Sequence, residues 1–402
     1  MHILTLNSGS SSLKAALYAM GRQETPCFSG SIERIGQHGG GFHMQDAAGA
    51  PLSDECHDFP DHAAALAYLF AWLRQAAPDR EIDAVGHRIV QGGVAHRRPQ
   101  FITPELCATL QTLIPLAPDH LPHELNLIRA VTQQFPDLPQ VACFDTAFHR
   151  QMPAVAQMYA LPRMYRQQGI IRFGFHGLSY EYIMRELAVL AGADVAEGRV
   201  VIAHLGNGAS MAAVHQGCSL DTTMGFTPTG GLVMSTRSGD LDPGVVLYLL
   251  MEQGLPPAAV NHLLTQQSGL LGVSGLSSDM HDLLAQEQTN PDAAEAVNLF
   301  CYQAKKYLGA LAAVLGGVDT LVFTGGIGEK APEIRRRICD GLSFIGIDIA
   351  AERNAANAPV ISPPAASVVV RVMKTDEELM IARHTYKLMD ERAQGQRGQQ
   401  AA

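Results

Sequence analysis

One local pattern occurs twice, and that repeat limits the fold of this chain more than any other feature. His2 to Leu6 is an apolar run of strand length, Asn7-Ser8-Gly9-Ser10-Ser11-Ser12 is a polar turn, and Leu13 to Tyr18 is a returning apolar run. About 200 residues later Val200 to Leu205, Gly206-Asn207-Gly208-Ala209-Ser210 and Met211 to Val214 repeat the scheme. A strand–turn–strand unit in each half predicts a duplicated architecture with one phosphate-facing hairpin per half.

Around the two copies, short apolar runs alternate with segments of helical period, which argues for an α/β chain. Residues 62–75 and 181–191 read as helices, and Val141 to Phe144 reads as a buried strand ending on Asp145. A long helical pattern over 293–315 leads into a strand from Thr320 to Phe323, then Gly325-Gly326-Ile327-Gly328-Glu329. Val368 to Val372 reads as a last strand, and Thr375-Asp376-Glu377-Glu378 opens a helix with capping-box spacing. The final ten residues, rich in Gln, Gly and Ala, read as a frayed tail. A length of 402 residues suits two domains. No Pro/Ser-rich linker separates them, so a boundary near residue 147 rests on the repeat alone.

A formal charge of −10 argues against nonspecific attraction to nucleic acid or an anionic membrane. A nucleotide therefore needs a local cluster of donors. Cys27, Cys56, Cys107, Cys143, Cys218, Cys301 and Cys339 lie far apart with no CxxC pair, and read as buried free thiols of a reducing compartment. No run reaches the ~18 apolar residues of a membrane span, and the first residues lack a signal peptide's basic segment. A cytoplasmic protein is expected.

Several segments carry groups suited to chemistry. Asn7 to Lys14 concentrates hydroxyls, backbone N–H groups and a lysine, which suits a polyphosphate; a plain surface hairpin uses the same residues, and Walker A spacing is absent. His204-Leu205-Gly206-Asn207-Gly208 and Gly325 to Glu329 put glycines directly after strands, where backbone approaches a ligand closely or merely turns. Residues 221–243 are too rich in Gly, Thr and Pro for regular structure; there Arg237 either meets an anion with its planar fork or pairs with Asp240. Asp145, at a strand end, either faces a ligand or turns the chain. Arg88 alone reads as a surface charge, His120 and His176 as structural histidines, and Glu377 as a helix-dipole carboxylate.

Taken in order, LNSGSSSLK (6–14), GHRIVQGG (86–93), CFDTAFHRQMP (143–153), RFGFHG (172–177), HLGNGAS (204–210), DTTMGFTP (221–228), TRSGDLDPG (236–244), SGLLGVSGLSSDM (268–280), FTGGIGE (323–329) and KTDEELMIAR (374–383) resemble the acetate kinase family. The resemblance runs from residue 3 to about 385 and places the chain among the sugar kinase, Hsp70 and actin-like ATPases. It implies two duplicated ribonuclease H-like α/β domains around an interdomain cleft: residues 1–147 with a helix at 377–392 packing back on them, then 148–376, and a disordered tail at 393–402. Asn7, Asp145 and Glu377 would hold Mg²⁺ or Mn²⁺, Asp145 being the essential carboxylate. Lys14, Ser10 and Ser12 would face the terminal phosphates. Arg88 and Arg237 would grip the acid and the moving phosphoryl, with His176 and His120 on its oxygens. His204, Leu205, Gly206, Asn207 and Gly208, then Asp279, Met280 and His281, then Gly326, Ile327, Gly328, Glu329 and Lys330 match segments that hold ATP or ADP. Val90, Phe175 and Pro228, with Arg88, would enclose the acid's methyl group.

The same resemblance implies a homodimer acting on acetate or acetyl phosphate. Asp119 stands where the family commonly has an apolar residue, Leu178 and Tyr180 where it has Thr and His, Gly230 for Glu, Ser235 for Gly, His281 for Arg and Lys330 for Asn. Other readings are a kinase for propionate or butyrate, the same transfer from pyrophosphate, and a non-catalytic nucleotide-binding relative. Intact Arg88, Asp145, His176 and Arg237 favour catalysis, since a mere binder has no use for an acid clamp.

Overall fold

The structure is a computed structural model and describes residues 1–9 and 11–400. Ser10, expected to face phosphates, lies outside the described residues. The chain divides into two compact units, one of residues 1–147 with 376–402 and one of residues 148–375.

The first unit carries eight strands: β1 (His2–Ser8), β2 (Ser12–Met20), β3 (Glu24–Glu33), β4 (Gly41–Asp46), β5 (Pro51–Cys56), β6 (Ala84–Ile89), β7 (Gln100–Phe101) and β8 (Gln140–Phe144). Their order across the sheet is β5-β4-β3-β2-β1-β6-β8-β7. The hairpin register pairs Asn7 with Lys14, so both side chains leave the same end of the sheet. β1, β6 and β8 run parallel, which brings Asn7, Arg88 and Asp145 to one carboxyl edge, where open α/β sheets bind ligands.

Alternation in β1 feeds two cores. Leu4 and Leu6 join Leu13, Phe28 and Phe42 beneath the helix His62–Ala76, while Ile3 joins Ala16, Tyr18 and Ala382 on the opposite face. Each leucine, isoleucine or phenylalanine among these stabilises the fold by about 1.5–3 kcal/mol relative to exposure. The opposite face is covered by the last helix, Glu377–Gln400. Gly86 of β6 makes that approach possible, because a Cβ there would lie 2.4 Å from Thr385 Oγ1 and 2.5 Å from Ile381 Cγ2. The helix runs through most of the 393–402 segment expected to be a disordered tail, which is a correction. Its Ala, Gln and Arg residues are good helix formers, and propagation from a packed first half costs little.

The second unit carries β9 (Val200–Leu205), β10 (Ala209–His215), β11 (Cys218–Thr222), β12 (Thr320–Thr324) and β13 (Val369–Val372), ordered β11-β10-β9-β12-β13. Two antiparallel pairings followed by two parallel ones reproduce β3-β2-β1-β6-β8 of the first unit. The duplication expected from the hairpins is therefore a duplication of sheet topology. Helix Gly177–Ala191 buries Tyr180, Ile183, Met184 and Leu187 against Val200, Ile202, Ala212 and Val214. The 25-residue helix Pro291–Leu315 is capped by Asn290, which accepts from the N–H groups of Asp292 and Ala293, and ends at the left-handed Gly316.

All seven cysteines are free thiols, but the expectation of burial holds only for Cys143, Cys301 and Cys339; Cys56 is exposed on β5. No helix among the described residues is long and apolar enough to cross a membrane.

Candidate active site

Arg88 is the centre of the first unit's polar cluster. It sits one residue before the end of β6, with Asp145 just past the end of the neighbouring β8. Its Nε donates to both carboxylate oxygens of Asp145 at 3.2 and 3.1 Å, and Nη2 donates to Oδ2 at 2.5 Å. Nη1 donates to Asn7 Oδ1 at 3.1 Å, and Glu377 Oε2 lies 3.8 Å from Nε. The Asn7 amide donates in turn to Glu377 at 3.4 Å and Glu378 at 3.2 Å. Asp145 is wholly buried, and the side chains of Arg88 and Glu377 keep only 16% and 13% exposure. Burial alone would lower the pKa of Arg88; the charges of Asp145 and Glu377 more than offset it and hold it above the ordinary value.

Four residues scattered through the sequence (7, 88, 145 and 377) are thus brought together. Lys14 is near enough to counter the rise that burial and Glu377 impose on the Glu378 carboxyl. Ser12 begins β2, and its carbonyl accepts from Gly9 N–H across the turn. His62, which the sequence did not single out, donates from Nε2 to the Gly9 carbonyl at 2.9 Å and steadies that turn from behind.

The donors Asp145, Glu377 and Asn7 are all hard oxygens, the chemistry that Mg²⁺ prefers. No group of three His, Cys, Asp or Glu side chains suited to a metal stands among the described residues. An ion held by two carboxylates and an amide keeps most of its shell for water and phosphate, as Mg²⁺ usually does, so the set fits it.

Glu124 was also missed. It lies in the first turn of helix Leu121–Gln134, is 2% exposed, and accepts from Val90 N–H at 3.1 and 3.3 Å. Burial raises its pKa to about 8, against the lowering effect of nearby Arg88. Val90, expected in the acid pocket, is 2% exposed. His120 is the N-cap residue of the same helix, and it and Asp119 are half-buried.

In the second unit His176 caps helix Gly177–Ala191 in the left-handed conformation, φ 59°. Its Nδ1 meets Ser210 Oγ at 2.8 Å, and its ring stacks on His204 at 4.2 Å. A Cβ on Gly208 would lie 3.1 Å from His176 Nε2 and 3.7 Å from Arg237 Nη1, so glycine keeps that space open and both groups border it. Arg237 Nη1 also donates to the Pro228 carbonyl at 3.2 Å. Ser235 N–H donates to the Asn207 carbonyl at 3.2 Å, tying the arginine loop to the His204–Gly208 turn. Thr324 pairs with His204 across the parallel strands, so both glycine turns leave one sheet edge.

Phe175 is 1% exposed, and its carbonyl accepts from Nε2 of buried His149, whose pKa burial lowers to about 4. Leu205 is buried, Gly206 partly so, and Ile327 and Gly328 stand in the short helix Gly325–Lys330 with Gly326 and Lys330 exposed. The Glu329 carboxylate accepts from Gly325 N–H and Thr375 N–H, which makes it a brace for the turn. Arg335, unnoticed in sequence, is fully buried and donates to the carbonyls of Gly328 and Glu329 at 2.8 and 2.9 Å. Asp279 caps the helix Met280–Gln286 by accepting from His281 N–H, Met280 is buried, and His281 is exposed.

The profile of the acetokinase family matches residues 2–383. An acetate kinase of Rhodopseudomonas palustris is 48% identical over 394 residues, 96% of this chain and 98% of the relative. The solved acetate kinase of Porphyromonas gingivalis is 39% identical, with a TM-score of 0.85 over 96% of this chain and 99% of that one. A solved propionate kinase of Francisella tularensis is 34% identical, with a TM-score of 0.87 over 95% and 98%. The two-sheet α/β architecture is the fold of these enzymes.

Proposed function

The chain belongs to the acetokinase family, and from that premise we propose that it is an acetate kinase, moving the γ-phosphoryl of ATP reversibly onto acetate. One carboxylate oxygen attacks the γ-phosphorus, the bond to the bridging oxygen of ADP breaks, and ADP leaves with the electron pair. Acetate is already ionised at neutral pH, so the step needs no general base. What it needs is relief of repulsion: each pair of unit charges ~4 Å apart costs about 4 kcal/mol at an effective dielectric near 20.

In the first unit Arg88 takes the acid's carboxylate, Val90 meets its methyl group, and Lys14 with the serines of the first turn faces the terminal phosphates. Asp145 holds the Arg88 fork in place. Asn7, Asp145 and Glu377 are the residues that would hold Mg²⁺, which would neutralise charge on the polyphosphate. In the second unit Arg237 and His176 offer N–H groups to the equatorial oxygens, and Phe175 and Pro228 offer apolar surface. The two glycine turns, braced by Glu329 and Arg335, take the nucleotide, with Asp279 to His281 as a further segment. The reading is carried by one observation: a guanidinium fixed on a buried strand-end carboxylate, with Asn7 and Glu377 beside it.

The protein works as a homodimer in the cytoplasm. Helix Pro243–Met251 supports the dimer: none of its residues is buried, and Leu247, Tyr248 and Met251 are among the most exposed apolar side chains.

The test is to trap acyl phosphates with hydroxylamine across formate, acetate, propionate and butyrate, with and without Mg²⁺. Acetyl phosphate should dominate and require both ATP and Mg²⁺. Preference for propionate would move the assignment to the other chemistry represented among the solved relatives. Nucleotide turnover without any acyl phosphate would sink the kinase reading.

A further inference from the structure

Tyr180 occupies the first turn of helix Gly177–Ala191, four residues after His176 and therefore on the same helix face. It is fully buried, as is Ser210 on β10. The Tyr180 hydroxyl meets Ser210 Oγ at 2.5 Å, and Ser210 Oγ meets His176 Nδ1 at 2.8 Å. Three polar groups from a helix turn, a strand and a helix cap thus form one line ending at the imidazole.

We propose that Tyr180 and Ser210 act as a hydrogen-bonded relay that selects the tautomer of His176, so that Nε2 carries the proton and donates to the transferred phosphoryl. The relay deepens the acetate kinase reading and rests on it for the identity of the acceptor.

The direction proposed gives each bond one proton. Ser210 has a single hydroxyl proton and lies between two partners. A phenol is more acidic than an aliphatic alcohol and is the better donor of the two, so the relay takes Tyr180 O–H as the donor to Ser210 Oγ, although either hydroxyl can donate across this contact. In the proposed relay the serine proton is directed at His176 Nδ1, which accepts. A neutral imidazole that accepts at Nδ1 carries its hydrogen on Nε2.

Nε2 is the atom that borders the open space at Gly208, opposite Arg237 Nη1. The N–H donor and the guanidinium therefore face one place. Arg237 supplies the charge there, and a neutral imidazole supplies a directed donor at any pH where it stays unprotonated. The neighbouring His204 ring is engaged separately, through Nδ1 with Ser179 Oγ at 2.8 Å. Tyr180 is a positioning residue: it reaches the chemistry only through Ser210 and His176.

The experiment uses full-length protein labelled with ¹⁵N-histidine, with the His176 signals assigned by their loss in His176→Asn. Long-range ¹H–¹⁵N spectra of the wild type should show the Nε2-protonated pattern. Tyr180→Phe should bring in the Nδ1-protonated form and lower kcat about tenfold, roughly one hydrogen bond's worth, with KM for ATP and acetate unchanged. Tyr180→His, whose ring N–H can donate to Ser210, should restore most of the kcat. An Nδ1-protonated wild type overturns the relay, and so does a Tyr180→Phe variant with unaltered spectrum and kcat. If Tyr180→Phe does not fold, the wild-type spectrum decides alone. A wild type that makes no acetyl phosphate refutes the kinase reading, whereas the relay falls only on the spectrum, so the two failures are told apart.

Discussion

Removing the Arg88 guanidinium should damage stability as well as turnover, and the structure sets the size of both effects. Arg88 alone reads in the sequence as a surface charge, and the family resemblance makes it a clamp on the acid; neither reading implies a large cost in stability. In the structure it is the partner of a carboxylate with no exposure, bonded through Nε and Nη2. Breaking a buried pair from one side costs about 3–5 kcal/mol, because the other charge is left without compensation. For a unit of this size that corresponds to a fall in Tm of roughly 6–20 °C, at 2–4 °C per kcal/mol. Total stabilities of about 5–15 kcal/mol make a folded but weakened variant the expected product. Arg88→Met preserves the packing of the stem and isolates the charge. The orphaned carboxyl limits the loss by taking up a proton, so Arg88→Met/Asp145→Asn should recover about 1–3 kcal/mol relative to the single variant. Scanning calorimetry and urea melts read this directly. Turnover should drop ~10²-fold or more in both variants, the scale of one lost transition-state contact, so only stability separates them. An Arg88→Met protein that melts within 2 °C of wild type, or a double variant no more stable than the single, would refute the idea that Arg88 compensates an ionised, buried Asp145.

Other outcomes follow from the same geometry. Gly208→Ala places a methyl 3.1 Å from His176 Nε2, so kcat should fall about tenfold with little change in Tm; unchanged kinetics would remove His176 from the chemistry. Glu124 has its pKa raised from 4.5 to about 8 by burial, so the folded state holds a proton that the unfolded chain releases. Its contribution is whole below pH 4.5 and is lost as pH rises to about 8, a decline of order 5 kcal/mol. Glu124→Gln keeps an acceptor for Val90 N–H but does not ionise; its urea midpoint should be flatter over that window and higher than wild type at pH 8, and an unaltered slope would refute the assignment. Arg335→Lys loses a fork that also donates to Asn354 and Asn357. It should cost about 3 kcal/mol or more and raise KM for ATP more than KM for acetate; equal effects on both would separate Arg335 from the nucleotide turn.

What could be read in advance, and what could not, divides along physical lines. Asp145 was legible as a candidate because it ends an apolar run, and a polar residue at the carboxyl end of a buried strand has few purposes, whereas Asn7 was read only as part of a polar turn and took its role from the resemblance. Glu377 was named only through the family resemblance, because a glutamate in a helix's first turn has a sufficient local explanation in the helix dipole. It becomes part of the cluster only because Gly86 lets the last helix lie directly on the sheet, and no periodicity reports that contact. Glu124 was hidden the same way, since an acidic residue near a helix start is expected to be solvated and this one is 2% exposed. The Gln- and Ala-rich end misled for the opposite reason. Composition alone describes a free segment, whereas Met380, Ile381, Ala382 and Thr385 bury the start of that helix and the favourable residues beyond propagate it. The repeated sheet order was the most deducible feature. Each hairpin commits two antiparallel neighbours, and β6, β8, β12 and β13 are each reached through helices, which leaves parallel addition beside the first strand as the natural course. Sequence therefore shows most where a residue's surroundings are set by its own strand or turn, and least where a distant helix closes over it.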